Sequence, residues 1–399
     1  MDWIKTIFDP RHPIQKADRL RFHQRHRFLI GLTIAADFSQ MTGCLVEGTS
    51  AGKLLRLKAQ SFQELPIPGL MRRLFEQWCG TALAPYHVES SPDLPTYLSL
   101  QADLTQMAIQ LVHALMSQAG QAADRVLAVA VHHCGVLVGG AGQPNFNLPL
   151  IDAAALALKT GMNVLDQFPV KDRLEGGTGW PISALPLWIL WADRRSPQAF
   201  EHRVIIESTS GVQMTWLPPS DGLDATFPLI QQRIWTMAEL SEPAESLSAS
   251  NSDDLINSGT SLDRIVTDIC QQIAAWQTVD SPRSAALAAT HKLRILIAEP
   301  ETGSELEGLQ QRLTQALPQT VVVPCCDYDC PSWGMGALVA ATHGFLHVDQ
   351  VPANLPWISG TEVPRILGTL TPGAAGRYRS LLIEMSDYRP PVMTLRDAV

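Results

Sequence analysis

Two hydrophobic periodicities alternate along the chain, and together they predict a mixed α/β protein. Short apolar runs between polar or glycine-containing segments are typical of buried strands, and apolar residues spaced three and four apart are typical of amphipathic helices. The predicted strands are residues 28–36, 42–47, 54–62, 126–132, 136–138, 162–165, 203–207, 211–217, 293–298 and 320–324. The predicted helices are residues 70–78, 98–116, 151–159, 183–191, 229–240, 305–317 and 335–347.

The order of these elements repeats once along the chain. Each half opens with two strands that form a predicted hairpin and continues into β/α units, which indicates a duplicated architecture. We expect a first domain at residues 28–195 and a second at 200–372, with a polar loop at 241–258 inside the second. Residues 1–27 then form a basic N-terminal arm and residues 373–399 a C-terminal tail.

Composition and charge exclude several classes of function. The chain has 399 residues, 46% of them hydrophobic, and a net charge of −9, which is typical of a globular protein and argues against a nucleic-acid binder. No apolar run approaches the roughly 18 residues needed to span a bilayer, and no secretory signal is visible. Seven cysteines at irregular spacing fit a reducing compartment. We therefore expect a cytoplasmic protein that binds neither nucleic acid nor membrane.

Two local clusters are interpreted as structural. The basic residues of the N-terminal arm are interspersed with acids, so we expect a solvated arm rather than a binding tail. These basic residues are Arg11, Lys16, Arg19, Arg21, Arg25 and Arg27. Cys325, Cys326 and Cys330 lack the spacing of a zinc site, so we expect buried thiols at a strand end and no metal.

The string SGTSLD at Ser258–Asp263 could be a glycine-turn phosphate loop or the start of a helix. The apolar positions that follow it fall on one helical face, and Thr260 can cap that helix with Asp263 at the third position. No predicted strand precedes the string, so no sheet edge would aim its backbone at a phosphate. We interpret it as a helix cap.

Several collinear segments carry a resemblance to a known family. Residues 172–181, DRLEGGTGWP, resemble the family pattern Asp-x-x-x-Gly-Gly-Gln-Gly-Ala-Pro, and residues 159–168 resemble its Arg-Thr-Gly segment followed by Val-Val-Gly-Asp-Phe. His132 after an apolar strand, Asp152, and residues 352–368 resemble further motifs in the same order. From about residue 30 to 372 the chain is thus similar to the anhydro-N-acetylmuramic acid kinases.

The resemblance implies a fold and a chemistry. The expected fold is the two-domain actin-like ATPase (ribonuclease H-like) fold with a central cleft, and family resemblance also implies a homodimer. Family members open the 1,6-anhydro ring of a muramic sugar with water and phosphorylate O6 from ATP with Mg²⁺. An acid at the position of Asp172 would be the general base; without the resemblance, Asp172 is a solvated or capping acid before a tight turn. The resemblance implies sugar binding by His132, Asp152, Gly176, Gly177 and Gly179, because glycines allow close backbone approach.

The nucleotide side departs from the family pattern. Residues 33–42 replace the first phosphate loop without its glycines, and Asp37 adds a negative charge there. Ser208 and Asp224 are the other candidate nucleotide-binding residues, and Gly336 replaces an acid of the family. The losses predict impaired ATP binding, since phosphate loops depend on glycine turns that aim N–H groups at the anion.

Three functions remain open. The first is a catalytically impaired or inactive pseudokinase with a scaffold or sensor role, which would need no cofactor. The second is an active kinase in cell-wall sugar recycling that uses ATP and Mg²⁺. The third is an ATP-independent sugar hydrolase in which Glu175 supplies a second carboxylate beside Asp172. A small amino sugar is the candidate ligand.

Overall fold

The computed structural model describes residues 26–49, 55–79, 87–88, 93–132, 135–138, 146–193, 201–208, 211–219, 230–236, 261–279, 292–298 and 308–387. Its strands are β1 (His26–Ile34), β2 (Gln40–Thr49), β3 (Arg56–Pro66), β4 (His87–Val88), β5 (Val126–Val131), β6 (Gly135–Val138), β7 (Phe146–Pro149), β8 (Asn163–Asp166), β9 (Glu201–Ser208), β10 (Gly211–Leu217), β11 (Gln231–Thr236), β12 (Lys292–Ala298), β13 (Val321–Pro324) and β14 (Thr369–Thr371). Its helices are α1 (Gly69–Cys79), α2 (Leu94–Ala119), α3 (Ala153–Thr160), α4 (Phe168–Leu174), α5 (Ala184–Trp191), α6 (Ser261–Val279), α7 (Leu309–Ala316), α8 (Met335–Val348), α9 (Pro356–Ser359) and α10 (Ala375–Asp387).

The first sheet has six strands in the order β14-β8-β5-β1-β2-β3. β1 and β2 form an antiparallel hairpin, whereas β1, β5 and β8 run parallel. Every residue of β5 is buried, as expected for an apolar parallel strand that is covered on both faces. Leu29 and Ile30, successive residues of β1, belong to different core clusters, because successive side chains of a strand point to opposite faces.

The second sheet repeats this arrangement with five strands in the order β11-β10-β9-β12-β13. β9 and β10 form the hairpin, and β9, β12 and β13 run parallel. Helix α6 buries Ile265, Ile269 and Ile273 against this sheet. Both halves therefore place a hairpin beside parallel β/α units, which confirms the predicted α/β class and the duplicated ribonuclease H-like topology of the actin-like ATPases.

One predicted element is wrong. Residues 229–240 were expected to form a helix, but β11 occupies Gln231–Thr236 and pairs with β10 in the register Val212↔Trp235. Ile234, Trp235 and Thr236 are residue types that favour strands, and a short apolar run does not separate the two periodicities. The pairing with β10 decides the conformation.

A second expectation changes in detail. Residues 136–138 were expected to continue the strand at 126–132, but β6 belongs to a separate small sheet with the order β4-β6-β7. Helix α6 begins at Ser261 with Asp263 in its first turn, so the string SGTSLD leads directly into a helix. Thr260, the expected cap, lies outside the described residues.

The end of the chain returns to the first sheet. Helix α8 packs across β1, β2 and β5, and β14 pairs with β8 in an antiparallel manner. The expected second domain, 200–372, thus contains segments that complete the first sheet, and the expected tail contains helix α10. One hydrophobic cluster contains Leu29 of the first sheet together with Ile205 and Leu296 of the second. The two halves are joined by a continuous core.

The predicted N-terminal arm is wrong at its last two residues, because His26 and Arg27 begin β1. Arg27 lies within β1, is only 5% exposed, and forms an ion pair with Asp349 just beyond α8. Its Nη2 atom donates to Asp349 Oδ2 over 3.2 Å. Residues 1–25 of the arm and the polar loop at 241–258 lie outside the described residues. No helix in the described ranges is long and apolar enough to cross a membrane.

Candidate functional site

The carboxyl ends of β1, β5 and β8 meet at one edge of the first sheet, because these strands are parallel neighbours. Thr33 lies near the end of β1, His132 directly follows β5, and Asp166 ends β8. The N–H of His132 donates to the carbonyl of Leu32 over 3.0 Å. Open α/β sheets bind ligands outside such ends, so this carboxyl edge is the candidate ligand side of the first half.

The predicted sugar-binding residue His132 lies in an aromatic cluster. Its side chain is 1% exposed, and its ring centroid is 4.8 Å from that of His343 on α8. Phe168 packs beside both rings, with centroid distances of 5.9 Å to His132 and 5.1 Å to His343. His132 therefore lies beneath the surface of the carboxyl edge, and sequence reasoning did not identify His343 as its neighbour.

The predicted residue Asp152 is the N-cap of α3. Its Oδ1 atom accepts hydrogen bonds from the N–H groups of Ala154 and Ala155, at 2.9 and 3.0 Å. Its own N–H donates to Thr105 Oγ1 on α2 over 2.9 Å. These contacts satisfy two of the N–H groups that a helix start leaves unpaired, and they fix the position of the carboxylate.

The predicted base Asp172 is fully buried and joins two distant segments. Its Oδ1 atom accepts hydrogen bonds from Asn354 Nδ2 at 2.9 Å and Ser359 Oγ at 2.7 Å. Its Oδ2 atom accepts one from the N–H of Gly179 at 2.8 Å. Asp172 thus connects the glycine turn to residues 354–361, a role that the sequence did not reveal for Ser359.

The glycines of the turn are required by this network. Gly176 and Gly179 have φ angles of 85° and 74°, which side chains rarely adopt. A Cβ added to Gly177 would lie 2.4 Å from Asp172 Oδ2 and 2.4 Å from Thr361 Cγ2. Packing against Asp172 and Thr361 therefore requires a glycine at position 177. The expected approach of the backbone to a sugar is a separate reason for a glycine there.

The second carboxylate of the hydrolase alternative has its own partner. The Oε1 atom of Glu175 lies 2.9 Å from Nε of Arg365, and both side chains are partly exposed. Asp172, in contrast, is fully buried. The two carboxylates therefore occupy different environments, each with separate partners.

The turn that stands in place of the first phosphate loop is closed by its own hydrogen bonds. The N–H groups of Ala35 and Phe38 donate to the carbonyls of Gln40 and Ala35, each over 2.9 Å. The exposed Asp37 accepts from the N–H and the hydroxyl of Ser39, at 3.0 and 2.6 Å. Phe38 is buried and stacks on Phe75 with ring centroids 3.8 Å apart. The N–H groups of Ala35, Phe38 and Ser39 are therefore bonded within the turn and do not face an anion.

At the position of the second phosphate loop, the structure places the carboxyl group of Glu207. Glu207, next to the end of β9, accepts a hydrogen bond from Gln213 Nε2 at 2.8 Å, and the same nitrogen lies 3.2 Å from Ser183 Oγ. Burial raises the pKa of Glu207 to about 7, and the hydrogen bond from Gln213 lowers it in part. Ser208 pairs through its backbone with Val212. The other candidate, Asp224, lies outside the described residues.

Glu207 is expected to make stability depend on pH. Its unfolded pKa is about 4.5 and its folded pKa about 7, so between these values the folded chain holds a proton that the unfolded chain has released. Stability therefore falls as pH rises through this window, by about 2–3 kcal/mol, and stays lower above it. Glu207→Gln should abolish this loss of stability between pH 5 and pH 8. Urea unfolding at the two pH values would measure it.

The exposed Glu362 supplies the matched control for this prediction. Glu362→Gln should keep the wild-type difference between the two pH values. If Glu207→Gln also kept this difference in stability between the two pH values, the carboxyl of Glu207 would have to titrate in the same way in the folded and unfolded chains.

The family acid that Gly336 replaces has no room in this structure. A Cβ on Gly336 would lie 2.8 Å from Thr33 Cγ2, because α8 packs directly on β1 at this point. Thr33 is itself 5% exposed. An acidic side chain at position 336 would require the buried Thr33 side chain, the helix or the strand to move.

The cysteine cluster after β13 contains buried thiols, as expected. Cys325 and Cys330 are buried, and Cys326 is exposed. Burial raises the pKa of both buried thiols, that of Cys330 to about 12. Across the described ranges no group of three His, Cys, Asp or Glu side chains is placed to hold a metal ion.

Sequence reasoning missed Asp166 at the carboxyl edge. The side chain is 6% exposed, and within the described part of the chain its Oδ1 atom has no hydrogen-bond partner. The pKa of Asp166 is raised to about 6, chiefly by burial and to a smaller extent by the charge of Asp152, while hydrogen bonds with Gln167 and with its own backbone lower it in part. An acid directly after the apolar run 162–165 was the signal that could have found it.

The duplicated topology and the polar carboxyl edge define a two-half α/β protein with a candidate ligand site at the edge of its first sheet. Residues 31–200 match the sequence pattern of the family described as anhydro-N-acetylmuramic acid kinase. Over these residues the chain is similar to the anhydro-N-acetylmuramic acid kinases.

The relatives are distant, but some of them match over nearly their full length. The anhydro-N-acetylmuramic acid kinase of Ralstonia nicotianae is 25% identical over 388 residues, which cover 86% of this chain and 97% of that protein. The enzyme of Bordetella petrii is 23% identical over 384 residues, covering 87% and 96%. That of Psychrobacter cryohalolentis is 30% identical over 101 residues, covering 25% and 23%. Among solved structures, a glucokinase from an Antarctic psychrotroph matches with a TM-score of 0.27 and 9% identity, covering 80% of this chain and 98% of that one.

Proposed function

We propose that this chain is a divergent anhydro-N-acetylmuramic acid kinase homologue that has lost phosphate transfer from ATP and serves as a sugar-binding sensor or scaffold. The observation that carries the proposal is the geometry of the first phosphate-loop position, where the N–H groups of Ala35, Phe38 and Ser39 donate to acceptors within the turn itself. A phosphate loop needs those groups directed at the anion.

The residues present do not fit ATP with Mg²⁺. Asp37 presents a carboxylate at the first loop position, and Glu207 presents a second acid at the other. Each charge-assisted hydrogen bond to a phosphate is worth about 1.5–3 kcal/mol, so losing three of them removes about 4–9 kcal/mol of binding. A micromolar nucleotide site corresponds to about 8 kcal/mol, and a loss of this size leaves little of it.

The sugar side retains more of its parts. Asp172, the glycine turn and Asn354 form one hydrogen-bonded unit, and the polar groups of the carboxyl edge lie in the same half. This contrast between an ordered sugar side and an unsuitable nucleotide side favours ligand binding without phosphoryl transfer. A homodimer or a protein partner would then transmit the signal, as a scaffold or sensor requires.

Two alternatives rest on fewer observations. An active kinase is supported by Asp172 at the position of the family base, but Gly336 leaves no room for the acid that family members carry there. An ATP-independent hydrolase would need Glu175 beside Asp172, and Glu175 is engaged with Arg365. We therefore regard both alternatives as less well supported than a sensor or scaffold.

Isothermal titration with Mg²⁺–ATP tests the proposal. We expect no binding heat from the full chain up to millimolar nucleotide, with or without anhydro-N-acetylmuramic acid, because Asp37 and Glu207 place acids at the two loop positions and the N–H groups of Ala35, Phe38 and Ser39 are already bonded within the turn. The Ralstonia nicotianae relative, titrated under the same conditions, provides the positive control. A micromolar dissociation constant, or a phosphorylated sugar detected by mass spectrometry, would favour the active kinase.

A further inference from the structure

The hairpin of β10 and β11 in the second half is bonded to both of the segments that Asp172 joins. Nε2 of Gln213 on β10 donates to Oγ of Ser183, just beyond the glycine turn, over 3.2 Å. The indole N–H of Trp357 on α9 donates to the carbonyl of Ile230, just before β11, over 3.0 Å. A displacement of this hairpin would therefore reach the glycine turn and the segment 354–361 together.

Helix α5 stiffens this connection. It directly follows Ser183, seven of its eight residues are buried, and it contacts both β3 of the first sheet and β10 of the second. Nε1 of Trp188 within α5 donates to the carbonyl of Pro218, just after β10, over 2.9 Å. Because a helix that is buried on all sides moves little relative to its neighbours, a displacement of β10 would also displace Ser183.

Glu207 shares the amide group of Gln213 with Ser183. Its carboxyl accepts from Nε2 of Gln213 over 2.8 Å, so one nitrogen serves both acceptors. Gln213 is 6% exposed and Glu207 is half-buried. Among the described residues, the thiols of Cys325 and Cys330 interact with this carboxyl, and burial holds their pKa values far above neutrality, so both stay protonated. Neither α5 nor β10 carries a charged residue, and β12 places an alanine opposite Glu207.

Loss of the proton from Glu207 changes the balance between these two hydrogen bonds. A carboxylate accepts a charge-assisted bond, which is shorter and stronger than a neutral one, whereas the bond to the serine hydroxyl stays neutral. The 3.2 Å bond from Gln213 to Ser183 is the longer of the two, so we expect it to break as the amide follows the carboxylate. Because burial raises the pKa of Glu207 to about 7, this change falls near neutral pH.

We propose that Glu207, Gln213 and Ser183 form a proton-controlled link between the two halves of the molecule. The neutral carboxyl keeps the link closed. The carboxylate releases Ser183, which loosens the glycine turn and weakens the hydrogen bonds of Asp172. The inference goes beyond the proposed function, because it concerns the free protein and requires neither a sugar nor a nucleotide.

Amide hydrogen exchange of the full chain at pH 6 and pH 8, corrected for the intrinsic effect of pH on exchange, tests the link. The readouts are peptides that contain Gly179, whose N–H donates to Asp172, and Ser359, whose N–H donates to the carbonyl of Leu355. We expect the protection of both to fall by about two- to tenfold from pH 6 to pH 8, the effect of one neutral hydrogen bond. Glu207→Gln should abolish this fall in protection.

Ser183→Ala separates the link from a general loss of stability. The side chain of Ser183 caps no N–H group of α5, so the variant should fold. It should keep the wild-type dependence of urea unfolding on pH, which belongs to Glu207, while its glycine turn shows equal protection at both pH values. Asp327→Asn, which removes an exposed acid of the same half, is the matched control and should respond like the wild type.

The inference would be overturned by equal protection of the wild-type glycine turn at both pH values, or by a response that persists in Glu207→Gln. A response that persists in Ser183→Ala would also overturn it, because Glu207 would then act through the stability of the whole fold. Nucleotide binding would instead refute the proposed function and leave the link between the halves standing.

Discussion

Replacement of Gly31 by alanine is expected to lower the free energy of unfolding by at least about 3 kcal/mol. An added Cβ would lie 1.8 Å from the carbonyl oxygen of Ala337 and 2.7 Å from the nitrogen of Ala341, both in the backbone of α8. Thirteen of the fourteen residues of this helix are buried, so it cannot shift without disturbing the core on its other sides. Urea unfolding followed by circular dichroism measures the loss.

Gly69 provides the control for this substitution. It begins helix α1, and no atom lies within 4 Å of a Cβ placed there. Gly69→Ala should therefore stay within about 0.5 kcal/mol of the wild type or stabilise it slightly. If Gly31→Ala were as stable as Gly69→Ala, α8 could not pack against β1 at the distance that the structure gives.

The parts of the fold that the sequence predicted are those decided by local pattern. Residues 126–131 are an uninterrupted apolar run and residues 293–298 are apolar except for Arg294, and they form the parallel strands β5 and β12. The segment 229–240 fits a helix or a strand by its own residues, and its pairing with β10 selects the strand. The ion pair of Arg27 with Asp349 joins residues 322 positions apart. No local pattern could therefore predict that the segment around Asp349 packs against the first sheet.

The candidate site was predicted in its residues but only partly in its contacts. Motifs identified Asp172 and Asn354, and the structure joins them by a hydrogen bond. Ser359 was missed because its link to Asp172 spans 187 positions and involves a residue type common on any surface. Asp166 was missed because a single acid at a strand end carries no motif, and its importance follows from burial, which only the fold determines.

The removal of the Asp172 carboxylate is expected to destabilise the fold as well as any chemistry. Asp172→Ala would leave Asn354 Nδ2, Ser359 Oγ and the N–H of Gly179 buried without their acceptor. Each unsatisfied buried donor costs about 1–3 kcal/mol, and because the three share one partner we expect a total of about 3–5 kcal/mol. Urea unfolding measures the total, and amide exchange at Gly179 should accelerate as its hydrogen bond is lost.

Two further substitutions separate a structural role of Asp172 from a purely catalytic one. Asp172→Asn keeps an oxygen for Asn354 and Ser359 but turns its amide toward the N–H of Gly179, so it should lose about 1–3 kcal/mol. Ser359→Ala removes one donor of the network and should lose about 1 kcal/mol. If Asp172→Ala unfolded like the wild type while sugar binding or turnover disappeared, the carboxylate would act only on the ligand. The graded losses expected here instead identify Asp172 as the residue through which the glycine turn and the segment 354–361 hold each other in place, so that the shape of this part of the fold depends on its carboxylate.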